Sequence, residues 1–348
     1  MQLDAPVNVL AGRIADASGD AVGVLRRHAD HPSALLAINQ DTLRFHDPAI
    51  DGLIAYRPAG RHHLVMAAGI TAAPDQRALL LDRFLGWARR ERRKVVAVQM
   101  FRDDAVLFAS RGFRVNQIGA SYSVSLDRFR ISGTPFIKLR NKISRARRSN
   151  VSVLELGVDL PATSHIGEAI AAIDREWIKD KGAKELAFLI GEVGAPDQLD
   201  RSVKRLFVAM QNGETVAYVL YTASFGRHSG WMHDLTRRRP DTATGVMELI
   251  NITAIERFKA EGAGMLNFGF TPLTSLADEH EIADACSRAT AWTFRKLARH
   301  GSFIYPAEAQ LQYKLKWAPD LVQPEYIAFQ NGTAVSSLWQ FLRLTRAI

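Results

Sequence analysis

A single cysteine, Cys286, in 348 residues excludes an intrachain disulfide and a zinc site built on cysteine. Long apolar runs are missing too. Those at 95–98 and 186–190 are strand-length, far short of the roughly 20 residues a membrane-spanning helix needs. Met1 to Pro6 carry neither the basic stretch nor the apolar core of a secretory signal, so a cytoplasmic address is expected. There is no phosphate-binding Gly-x-x-x-x-Gly-Lys loop, no Gly-x-Gly-x-x-Gly turn, no Gly-x-Ser-x-Gly elbow and no His-Glu-x-x-His helix. The 10 histidines are scattered without metal-ligand spacing. Neither a metal nor a cofactor is expected, and ATP-driven chemistry has no visible site.

What is present is positive charge. An apolar fraction of 47% with 23% charged residues is ordinary for a soluble globular protein, and the length suggests two domains. The net charge of +9 favours an anionic partner. From Arg128 to Arg148 the chain has no acid. Leu139, Ile143 and Ala146 recur there at helical spacing, so one stripe can pack while the other face stays cationic. Lys138, Arg140, Lys142, Arg145, Arg147 and Arg148 are the candidate contacts to RNA phosphates. A solvated helix would show the same pattern.

Hydrophobic periodicity organises the rest. A helix over 12–28 precedes a hairpin whose strands, 53–57 and 63–69, flank Pro58-Ala-Gly60. A helix over 74–93, a strand at 95–100, a short helix at 104–110 and a strand at 121–126 follow. The second half runs helix 166–180, strands at 206–210, 216–223 and 230–235, helix 245–261, strand 265–270, helix 289–300 and a last strand near 326–329. The order in each half resembles the acetyltransferase fold. The expected class is α/β (α+β), with two tandem acetyltransferase-like folds at 1–134 and 151–332. A basic helix over 135–150 joins them, and an amphipathic helix follows over 333–348.

The richest stretch is Trp231 to Glu248. It reads as a strand, an Arg-dense turn and a helix with an acid in its first turn. Asp234 beside Arg237, Arg238 and Arg239 can hold an ammonium group, while the arginines hold phosphate or a carbonyl oxygen. The turn running to Gly245 could hold phosphate on backbone N–H groups, though it lacks the paired glycines of a coenzyme A loop. Asn267 and Gly269 stand where a strand runs into a loop, and Gly269 permits close approach of a ligand. In Tyr313-Lys-Leu-Lys-Trp317 the alternation reads as a strand with Lys314 and Lys316 on one face. A cation there could stabilise a tetrahedral oxyanion, and an exposed basic edge strand would look alike.

Together, residues 52–60, 111–119, 136–147, 233–237, 245–250, 267–273 and 313–317 resemble the catalytic domain of the phosphatidylglycerol lysyltransferase family, also called multiple peptide resistance factors. The resemblance implies two tandem acetyltransferase-like folds and transfer of an amino acid from aminoacyl-tRNA to a lipid headgroup hydroxyl. It associates Asp234 and Arg237 with the aminoacyl donor, and Lys314 or Lys316 with the reacting centre. Glu248, Asn267, Gly269 and Tyr313 are expected to line the substrate site. The family often has Thr and Asp where Val246 and Glu248 stand, which leaves the amino acid open. An aminoacyl ester is already activated, so positioning plus oxyanion stabilisation would suffice. The expected partners are aminoacyl-tRNA and an anionic phospholipid surface, which Leu338, Trp339, Phe341, Leu342 and Leu344, interspersed with Arg343 and Arg346, could meet. A soluble peptide or metabolite acceptor, a coenzyme A-dependent acyltransferase and a silent RNA-binding module are the alternatives.

Overall fold

Each half of the chain opens as an antiparallel meander and closes with a helical crossover to a parallel strand. The computed structural model describes residues 20–180, 189–300 and 307–330, with residues 337, 339, 340 and 343. In the first half, α1 (Ala21–His28) and a 3-10 turn (Pro32–Ile38) lead into β1 (Leu43–Asp47), β2 (Ile50–Ala59) and β3 (His63–Ala67). The short β4 (Thr71–Ala72) pairs with β2, and α2 (Arg77–Arg90) crosses to β5 (Lys94–Met100), parallel to β3. Then come α3 (Arg102–Ala109) and β6 (Arg114–Ser125).

Helix α4 (Ile137–Arg148) joins the halves. The second half runs β7 (Val151–Glu155), α5 (Ser164–Asp180), β8 (Lys204–Gln211), β9 (Glu214–Ser224) and β10 (Gly230–Arg238). Helix α6 (Val246–Ala260) crosses to β11 (Met265–Pro272), parallel to β10. Helices α7 (Arg288–His300) and α8 (Ala307–Leu315) precede β12 (Leu321–Phe329).

The sheet is continuous, in the order β1-β2-β3-β5-β12-β6-β11-β10-β9-β8-β7. Each half therefore receives the last strand of the other: β12 pairs with β5, and β6 pairs with β11. The two exchanged strands also pair with each other along their length. A bulge in β6 between the Glu325↔Gly119 and Tyr326↔Gln117 pairs shifts the alternation by one residue. That shift puts Val115 and Tyr122 on one face, so a single face carries α2, α3, α4, α6 and α8. The opposite face carries α1 over Leu53 and Ala55, α5 over Leu220 and Leu235, and α7 through Phe294.

The stripe expected on the connecting helix is the buried one: Leu139, Ile143 and Ala146. Of the first expected helix, 12–19 lies outside the described residues. So does most of the C-terminal segment, where Ser337 Oγ lies 3.2 Å from His63 Nε2 and Trp339 is exposed. Among the described residues no helix is long and apolar enough to cross a membrane.

Gly245 ties α4 to α6. It precedes α6 at φ +95°, and a Cβ there would lie 2.0 Å from the Lys142 carbonyl oxygen. Both the backbone angle and the contact require glycine. Gly245→Ala is expected to destabilise the fold by about 2–3 kcal/mol, read as a lowered midpoint of denaturant unfolding. An unchanged midpoint would contradict this contact.

Candidate active site

Strands β10 and β11 pair only over Gly230–Met232 and Met265–Asn267. Beyond this they part, and each is bulged: β10 between His233 and Leu235, β11 between Asn267 and Phe270. The opening between them is where side chains from distant segments converge.

On the α6 face, Glu248 in the first turn of the helix is buried. Its Oε1 accepts from Lys142 Nζ at 3.1 Å and Lys316 Nζ at 3.3 Å. Burial pushes this carboxyl up, but Lys142 and then Lys316 outweigh it, and the group lies below its usual range. Lys316 also lies over the Tyr313 ring, 5.0 Å from its centroid. The Tyr313 hydroxyl accepts from Asn251 Nδ2 at 2.6 Å, and Asn251 Oδ1 accepts from Tyr221 at 2.8 Å. The His233 ring packs against Tyr221, Phe268 and Tyr313. Burial lowers its pKa to about 4, so it is neutral at neutral pH.

Lys314 is buried and donates to the carbonyl oxygens of Gly269 at 2.7 Å and Phe270 at 3.0 Å. The bulge in β11 frees these carbonyls from the ladder. Burial lowers the ammonium to about 7, against the opposing pull of Glu325. The strand expected over 313–317 is corrected here: Tyr313 and Lys314 lie in α8, and the chain turns after Leu315. Trp317, fully buried beside Phe129 and Phe268, holds that turn. The lysines consequently have different partners instead of sharing one strand face.

Asp234 and Arg237 lie on the α5 face. Asp234 Oδ1 accepts from the Gly191 amide at 2.7 Å, and Oδ2 accepts from Thr222 Oγ1 at 3.1 Å. Burial raises the carboxyl to about 6, opposed by those two donors and by Lys204. Arg237 Nε is 3.4 Å from Asp174, and its guanidinium lies over Trp177. Arg239 is directed to Glu176 and Glu214. The expected grouping of Asp234 with Arg237 and Arg239 is therefore revised: these two arginines face carboxylates of α5 and β9, and Lys204 supplies the cationic field. Gly191, Arg237 and Asp174 line a cleft of about 350 Å³.

Asn267 also points to this second face, accepting from Ser123 Oγ at 2.7 Å and bracing the start of the opening. Along α4, Lys138, Arg145, Arg147 and Arg148 are exposed. Arg140 instead donates to the carbonyls of Ile131 and Gly133, and Lys142 reaches Glu248. The phosphate cradle expected before α6 is crowded, with the Lys142 carbonyl against Gly245 and Glu248 in the first turn.

Residues 22–329 match the family model described as phosphatidylglycerol lysyltransferase, C-terminal. The chain belongs to this family. It is 26% identical over 231 residues to the lysylphosphatidylglycerol biosynthesis bifunctional protein LysX of Mycolicibacterium gilvum, covering 66% of this chain and 20% of the relative. It is 24% identical over 262 residues to the phosphatidylglycerol lysyltransferase of Bacillus subtilis, covering 74% of this chain and 29% of that protein. The chain thus spans less than a third of these relatives. L-PGS from Bacillus licheniformis shares the fold, with a TM-score of 0.76 and 20% identity over 95% of this chain and 96% of that one. A C-terminal domain from Agrobacterium fabrum superposes with a TM-score of 0.76 at 19% identity, covering 97% and 99% of the two chains.

Within this lysyltransferase-family fold, several residues escape a reading of the sequence. Asn251 gives a signal, as a polar residue inside the apolar run Leu249–Ile252. Gly191, Thr222 and Lys204 give none, because only the bulge turns Asp234 toward them. Glu248→Gln leaves Lys142 and Lys316 facing each other without a countercharge. Both lysines are over a third exposed, so a loss of about 1–2 kcal/mol is expected. Lys142→Met should recover part of it in a double-mutant cycle of unfolding. Strict additivity would contradict the bridge.

Proposed function

We propose that this chain transfers an amino acid from aminoacyl-tRNA to the hydroxyl of a phosphatidylglycerol-type lipid. Membership of the family and the names of the relatives support the lipid acceptor. The observation that carries the donor is the Lys142–Glu248–Lys316 bridge, because Lys142 belongs to the basic helix. One carboxylate therefore joins a surface suited to a polyanion to the opening between β10 and β11.

In this reading the exposed α4 cations hold the tRNA acceptor arm. The aminoacyl end passes from the α4 side through the opening between β10 and β11, so that Asp234 holds its α-ammonium and Arg237 orients the ester or terminal ribose. The acceptor hydroxyl attacks the ester carbonyl carbon. A carbon–oxygen bond forms to the lipid, the bond to the ribose oxygen breaks, and the hydroxyl proton ends on that oxygen. Lys316, the more accessible of the two lysines, faces the developing oxyanion. Lys314 holds the bulged carbonyls of Gly269 and Phe270 in place. Glu248, Tyr313, Asn267 and Gly269 shape the opening. No ATP is consumed, since the ester is the activated species. The crowded Gly245 turn disfavours a coenzyme A donor.

Transfer of radiolabel from aminoacyl-tRNA to phosphatidylglycerol vesicles tests the proposal. Asp234→Asn should lower the rate at least about tenfold, the cost of one charge-assisted contact. In the wild type the rate should fall as pH drops through about 6, because the carboxyl protonates there. The Asn variant should lack that limb. Wild-type transfer by the variant would refute the assignment. Replacing Arg145, Arg147 and Arg148 with Ala should reduce the log–log salt slope of tRNA binding by about two, and an unchanged slope would remove α4 from the interface.

A further inference from the structure

Helix α7 presents a face that the transfer reaction does not use. Its sequence, RATAWTFRKLARH, has no acid. The inner side carries Thr290, Ala291 and Phe294, which are buried. Arg288, Trp292, Lys296 and Arg299 are all exposed, and at steps of four, four and three they form one outward stripe. Trp292 is 62% exposed, with Lys296 Nζ 5.0 Å from its ring centroid. Arg295, beside the stripe, is paired with Asp278.

A large aromatic flanked by cations is a poor choice for a purely aqueous surface. It suits the boundary of a bilayer, where the indole sits among headgroups and the cations meet lipid phosphates. Phe294 shares an apolar cluster with Leu189, two residues before Gly191, whose amide binds Asp234. The stripe therefore lies on the sheet face that carries Asp234 and the cleft lined by Gly191 and Arg237. We propose that this stripe of α7 seats the chain on an anionic lipid bilayer, the source of its acceptor. The inference rests on the lipid-acceptor reading for its purpose, and on the composition of α7 for its location. It places the membrane contact on α7, distinct from the C-terminal segment with the exposed Trp339.

Cosedimentation of the full chain with vesicles tests it. Wild type should bind vesicles of phosphatidylglycerol and phosphatidylcholine, and not phosphatidylcholine alone. Converting Arg288, Lys296 and Arg299 together to Gln should weaken binding about 100-fold, about fivefold per cation. Trp292→Ala should weaken it about tenfold, with the unfolding midpoint unchanged because the side chain is exposed. Wild-type affinity in both variants overturns the proposal. So does loss of binding in Trp339→Ala with none in Trp292→Ala, or a triple variant that loses only tRNA binding. Vesicle binding through α7 without any amino acid transfer would leave this inference standing and refute the proposed function. Transfer to short-chain, monomeric phosphatidylglycerol should persist in the α7 variants.

Discussion

The antiparallel pairing of β6 with β12 is the contact on which the rest of the molecule depends. Each of these strands belongs by sequence to one half and pairs with strands of the other. Were either absent, the β5 or β11 ladder would end in an open edge, with unpaired backbone groups in the middle of the sheet. The exchange therefore binds the halves through main-chain hydrogen bonds as well as through side-chain packing. It also positions chemistry, because β6 is the strand against which β11 bulges. That bulge exposes the two carbonyls that receive Lys314.

The site itself is built on departures from regular pairing. Parallel contact between β10 and β11 lasts three residue pairs, and the parting strands leave room on both faces. His233 and Asp234, adjacent in sequence, point to opposite sides. One side gathers Glu248, Lys142, Lys316 and Tyr313; the other holds Asp234, bonded to the Gly191 amide at the wall of a cleft that Arg237 also lines. A two-sided opening of this kind suits the proposed transfer, in which two substrates meet at one ester carbon. It matches a reaction dominated by positioning. Titratable groups shifted by desolvation on both sides, Lys314 lowered to about 7 and Asp234 raised to about 6, are what functional openings commonly contain.

Much of this was legible in the sequence. The strand, Arg-rich turn and helix over 231–248 are found as β10 and α6, because alternation and then apolar density mark them locally. The buried stripe of α4 follows from helical spacing alone. Strand exchange was not legible, since the pairing partner of β12 is distant and leaves no periodic trace. Residues 313–317 alternate polar and apolar like a strand. They nevertheless form a helix end and turn, because burial of Trp317 and the Tyr313–Asn251 bond outweigh local alternation. The bulge in β10 is likewise invisible in composition, so the neighbours of Asp234 could not be read from its surroundings in sequence.

Mass spectrometry of lipids from a reaction of purified protein, aminoacyl-tRNA and phosphatidylglycerol vesicles tests the central claim most directly. The account predicts a phosphatidylglycerol species heavier by one aminoacyl residue, formed as the tRNA ester is consumed. Hydrolysis of the ester to free amino acid, with no new lipid, would contradict it.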